Sequence, residues 1–154
     1  MTWRSARGRT SPLIQGAAWE LTATGPPTRI GMQDGYLTVD FGPTGHFHLC
    51  IGERRGEPGN PTPPELAAHR RTKRAELYRR INREGTPDSW GLRLFNGKDE
   101  PQITVLFPNP FLTGKLGVRT PDWSALALWD RVRRQYLGLD PDPRDRSGQR
   151  MIHP

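Results

Sequence analysis

The stretch YLTVDFGPTGHFHLCI, residues 36–51, decides how this chain folds. From Tyr36 to Phe41 the pattern alternates, with Leu37, Val39 and Phe41 on one side and Tyr36, Thr38 and Asp40 on the other. Successive side chains of an extended chain point to opposite faces, so this alternation marks a half-buried strand. Gly42-Pro43-Thr44-Gly45 interrupts it, and His46 to Ile51 resumes it. Two alternating runs around a Pro/Gly turn predict a β-hairpin. Burial on one side requires Leu37, Val39, Phe41, Phe47, Leu49 and Ile51 to share a face. Pairing Phe41 with Phe47 achieves this, with Pro43-Thr44-Gly45 as the loop. That register sets Asp40 opposite His48 and Thr38 opposite Cys50, so one face carries Asp40, His46, His48 and Cys50.

Working outward, residues 1–13 lack periodicity and acidic groups and read as a flexible basic arm. Residues 14–24, with Trp19 and Leu21, form a short element of ambiguous type. The Gly- and Pro-rich segment 52–64 reads as a long loop. A first helix is predicted from Thr62 as N-cap, with Pro63 and Glu65 completing a capping box, to about Arg83. It places Leu66, Ala67, Leu77, Tyr78 and Ile81 on one arc, with Arg70 and Arg74 falling inside it. Trp90–Phe95 and Gln102–Phe107 are predicted to form a second hairpin around Asn96-Gly97, with Arg93 across from Thr104. A second long loop covers 108–119, and a second helix runs from Thr120 and Pro121 to about Leu137, stopped by Gly138.

The expected fold is therefore α+β in the order ββ-α-ββ-α. An antiparallel sheet of about four strands carries two amphipathic helices on one face. A single domain is expected over 14–138, followed by a polar tail at 139–154.

Composition sets the functional limits. The 154 residues hold 23 Lys and Arg against 16 Asp and Glu, a net charge of +7, and only three lysines (Lys73, Lys98 and Lys115). Excess arginine favours phosphate contact and hence a nucleic-acid partner. It is also what a GC-rich, bacterial-type genome writes at ordinary surface positions, and here Asp and Glu are spread among the arginines. No apolar run approaches the ~18 residues of a membrane span, and no signal-peptide pattern precedes the fold. The single cysteine excludes an internal disulfide framework and a Cys₄ zinc cage. These features predict a soluble, cytoplasmic protein.

The chemistry concentrates at His46-Phe47-His48-Leu49-Cys50. Two imidazoles at i and i+2 with a thiol two residues on suit a divalent transition metal, Zn or Fe, with His46, His48 and Cys50 as ligands and Asp40 as supporting or alternative ligand. A second reading makes Cys50 a nucleophile activated by His48 and oriented by Asp40. A third is an ordinary solvated sheet face. Arg70 and Arg93 are candidates for holding a small anionic ligand or cofactor. The functional expectation is a small metal-binding protein, possible as a metal-dependent enzyme. The alternative is a basic nucleic-acid-binding or protein-interaction adaptor without a catalytic role.

Overall fold

Short extended segments, more than helices, build this protein. The computed structural model describes residues 25–151, and residues 2–6 as backbone. In chain order the elements are β1 (Thr2–Ala6), β2 (Arg29–Gln33), β3 (Tyr36–Asp40), β4 (His46–Cys50), β5 (Gly56–Glu57), β6 (Asn60–Pro61), α1 (Pro64–Arg70), β7 (Arg74–Ile81), β8 (Pro87–Phe95), β9 (Pro101–Leu106) and α2 (Ala127–Leu137). The class is mixed α+β with antiparallel sheets. Among the described residues the expected single sheet is replaced by three, ordered β1-β7-β8-β9, β2-β3-β4 and β5-β6, so the two predicted hairpins belong to different sheets. Of the predicted arm, Thr2–Ala6 is a strand; the rest of it and residues 14–24 lie outside the described residues. No helix among the described residues is long and apolar enough to cross a membrane.

The described residues divide into two compact units: 25–74 with 95–102, and 2–6 with 75–94 and 103–151. The first contains the β2-β3-β4 sheet, the β5-β6 ribbon, α1 and the β8–β9 turn. At its start, Asp34 (φ 43°) and Gly35 (φ 80°) make the two-residue turn between β2 and β3. Both central residues have positive φ, as a type I′ hairpin turn requires. An added Cβ at Gly35 would lie 2.5 Å from the Glu53 carbonyl oxygen, so only glycine lets residues 52–54 cross this turn. The Asp34 carboxylate then accepts from the backbone N–H of Arg55 at 2.8 Å, which ties the start of the β5-β6 ribbon to the same turn.

The predicted first helix is corrected. Only Pro64–Arg70 is helical, Pro63 precedes it without a side-chain cap, and Arg71 is already extended at φ −68°, ψ 133°. The chain continues into strand β7, because Thr72 N–H donates to the Cys50 carbonyl at 2.6 Å and Lys73 N–H to the Phe95 carbonyl at 2.8 Å. Pairing outside the segment overrides the helix preference of Ala, Glu, Leu and Arg. Arg70 is therefore exposed and not on an inner helical face, and Arg74 lies over the Phe95 ring at 3.7 Å and pairs with Asp99.

The second unit packs Leu77, Trp90, Phe111, Leu126 and Trp129 into one buried cluster. Its helix begins later than predicted. Asp122, not Thr120, caps a 3₁₀ turn at Trp123–Leu126 that leads into α2, and Gly138 ends α2 in the left-handed conformation as expected. Trp90 and Trp129 are core side chains. The segment read as a polar tail folds back as a 3₁₀ turn, Pro143–Arg146, whose Asp145 is fully buried.

Asp142 caps that turn by accepting from Arg144 N–H at 3.0 Å and takes a second bond from Arg79 at 2.8 Å. The Arg79 guanidinium, helped by the Arg144 amide, holds its carboxyl below the usual carboxylate range. A lowered folded-state value means that the stabilisation is complete above the unfolded carboxylate range, about 3.9, and is lost as pH falls through the folded value. Acid-induced unfolding should therefore be shallower below about pH 4 in Asp142→Asn than in the wild type, measured as urea midpoint against pH. Parallel profiles would show that Asp142 does not contribute.

Candidate functional site

The polar face of the β2-β3-β4 sheet holds the residues that the sequence pattern brings forward. The observed register pairs Asp40 with His46, Thr38 with His48 and Tyr36 with Cys50. This corrects the expected register by two residues. Phe41 leaves the strand, and Phe41–Gly45 forms a five-residue loop in which Phe41 N–H donates to the Gly45 carbonyl at 2.9 Å. The reason is local. Asp40 Oδ1 accepts from Gly42 N–H at 2.8 Å, and Gly42 (φ 63°) and Gly45 (φ 126°) both take conformations that side chains resist. A shift of two preserves the side-chain alternation, so Asp40, His46, His48 and Cys50 still share a face.

The histidines stand together. Both are exposed, with ring centroids 5.0 Å apart in an edge-to-face arrangement. Thr38 Oγ1 shares a 2.7 Å hydrogen bond with His48 Nδ1, which orients that ring and leaves Nε2 as its free nitrogen. Thr38 is a contributor that sequence reasoning misses, although its place on the polar face is legible from the alternation.

Cys50 is set apart from them. It is only 3% exposed, and its Sγ donates a long contact to the Gly52 carbonyl at 3.9 Å. Burial pushes its thiol above the ordinary range, and the charges of Arg54, Arg71 and Arg70 oppose that shift only in part. A buried thiol whose pKa is raised is a poor nucleophile. The expected Cys50–His48–Asp40 relay is not assembled, since His48 bonds Thr38 and Asp40 bonds the loop. Among the described residues no three of His, Cys, Asp and Glu converge where a metal ion would be held, so the three-ligand set His46, His48 and Cys50 is not assembled either.

Nearby in the same unit, Arg54 lies over the Tyr36 ring at 5.2 Å and donates to Thr62 Oγ1 at 3.1 Å. Arg70 offers its carbonyl to Gln102 Nε2 at 2.7 Å, and Gln102 Oε1 accepts from Thr72 Oγ1 at the same distance. His69 and Asn96 both bond the Glu100 carboxylate at 2.7 Å. Bonds from Asn96 and His69 hold Glu100 below the usual carboxylate range. The other predicted anion residue, Arg93, belongs to the second unit, where its guanidinium lies over the Tyr78 ring.

No curated protein and no solved structure matches the chain. A family model does match, over residues 3–138, well over half of the chain, and the chain accordingly belongs to that family of unknown function, DUF7676.

Proposed function

We propose that this chain is a cytoplasmic metal-binding protein that takes a divalent transition metal, Zn or Fe, on the paired imidazoles of His46 and His48. The observation that carries the reading is their pairing: two exposed rings 5.0 Å apart on one sheet face, one of them oriented by Thr38. Imidazole nitrogens suit such metals, and a hydroxyl holding the second ring nitrogen is the kind of outer contact that orients a ligating histidine. Asp40, the cross-strand partner of His46, is the supporting carboxylate. Cys50 drops out of the ligand set because it is buried and, among the described residues, does not converge with the two histidines on a three-ligand site. Two protein ligands leave coordination positions to water, substrate or a partner group.

The adaptor reading has weaker support. Arg54, Arg74, Arg79, Arg80, Arg133, Arg134, Arg146 and Arg150 each lie within 4 Å of a carboxylate, so much of the basic charge is already paired within the chain. Phosphate contact requires guanidinium groups that are not already paired.

Calorimetric titration of the metal-free protein with Zn²⁺ and Fe²⁺ tests the proposal. Wild type and Cys50→Ser should bind one equivalent with the same affinity, and His46→Ala/His48→Ala should lose it. Thr38→Val should weaken binding by about tenfold or more, since it removes the group orienting His48. Failure of the wild type to saturate, or equal binding by the double variant, overturns the reading.

A further inference from the structure

In the second unit nearly every arginine side chain with a described partner is held by a carboxylate, and Arg93 is held by a ring. Its guanidinium carbon lies 4.0 Å from the centroid of Tyr78. Tyr78 is buried and rests on Gly91, where an added Cβ would come within 2.7 Å of the ring. The glycine thus forms a recess that seats the phenol, and the phenol supports the guanidinium. Neighbouring Arg80 donates from Nε to the buried Asp88 carboxylate at 2.7 Å and is already engaged. Among the described residues Arg93 makes no ion pair, and it is half-buried, so its charge is neither neutralised nor fully hydrated.

We propose that Arg93, seated on Tyr78, is an oxyanion-binding residue that takes the carboxylate or phosphate group of a small ligand. A guanidinium stacked through its face keeps the N–H groups along its edge, and those match two oxygens of a carboxylate or phosphate. Stacking also restricts the side chain before the ligand arrives, which reduces the entropy lost on binding. Burial pushes the Tyr78 phenol above its ordinary range, opposed in part by Arg93, so at neutral pH the ring is uncharged and does not neutralise the guanidinium. This site stands on its own residues and does not depend on the histidine pair.

The test is a titration of the full chain at low ionic strength with inorganic phosphate and, separately, succinate. It is followed by nuclear magnetic resonance at the Arg93 Nε–H and Gly91 amide signals. Saturable shifts of both signals with at least one of the two anions are expected, and the anion that saturates identifies the preferred group. Arg93→Ala, read at Gly91, should weaken binding at least tenfold. Arg93→Lys should restore little, because an ammonium keeps the charge and loses the fork and the flat stack. Arg131→Ala, which removes an exposed charge on α2, should leave the titration unchanged. Shifts that rise linearly with both anions, or binding by Arg93→Ala equal to the wild type, would overturn the proposal.

Discussion

Asp145→Asn is expected to lower the unfolding free energy by about 3–5 kcal/mol, the cost typical of breaking a buried charge pair from one side. The Asp145 carboxylate has no exposed surface. Its Oδ1 accepts from Trp90 Nε1 at 2.9 Å and Arg79 Nη1 at 2.8 Å. Its Oδ2 accepts from Trp129 Nε1 at 2.9 Å and Arg133 Nη1 at 3.4 Å. Four donors therefore converge on two oxygens. An amide presents one oxygen and one NH₂, so a donor must face a donor, and Arg133, itself buried, loses its counter-charge. Urea unfolding followed by tryptophan fluorescence measures the effect, with Trp90 and Trp129 reporting directly. Asp140→Asn supplies the contrast, since Asp140 pairs with Arg134 in the open at 86% exposure. That change should stay within about 0.5 kcal/mol. A similarly small loss at Asp145 would contradict the hub.

No local pattern announces this hub. Asp145 lies in a run of Asp, Pro and Arg that reads as solvated surface, and its donors are 12, 16, 55 and 66 residues away. Burial of such a residue is decided by partners that only the folded chain brings together. The β3–β4 hairpin is the opposite case, because its alternation alone reveals the strands and the shared face of His46, His48 and Asp40. Its register is less legible, since the Asp40–Gly42 contact and two positive-φ glycines lengthen the loop without disturbing the alternation.

Strand β7 misleads for a physical reason. In RAELYRRI the positions Ala75, Leu77 and Ile81 fit a two-residue period, while Leu77 and Ile81 with Leu66 also fit a helical one. Good helix formers tip a local reading, and the hydrogen bonds of Thr72 and Lys73 tip the fold. Strand β2 does carry a signal: Asp34-Gly35 between RIGMQ and YLTVD is a strong hairpin-turn pair, and it places β2 beside β3. The candidate site is legible as a face and not as a ligand set. Whether Cys50 joins the histidines depends on the segment from 70 to 72 that packs beside it, which no strand periodicity specifies.

Phe111→Ala should cost about 3–5 kcal/mol, comparable to the loss at Asp145 but by a different mechanism. Phe111 has no exposed surface, and its ring stacks on Trp90 at 6.3 Å and meets Trp123 edge-on at 5.6 Å. Truncation leaves a cavity among rigid rings that cannot collapse into it, so both the transfer and the cavity terms are lost. Phe111→Leu keeps most of the volume and should cost less than about 1.5 kcal/mol. Calorimetric melting of both variants gives the comparison. At about 2–4 °C per kcal/mol for a chain of this size, alanine should lower Tm by at least about 6 °C. Trp90 touches both sites, through its ring to Phe111 and through its indole N–H to Asp145. Asp145→Asn and Phe111→Ala should therefore not add: once either change frees Trp90 to move, the other has less ordered structure to disrupt. A double-mutant cycle should show a coupling of at least about 0.5 kcal/mol, and strict additivity would mean that Trp90 holds its position without either neighbour.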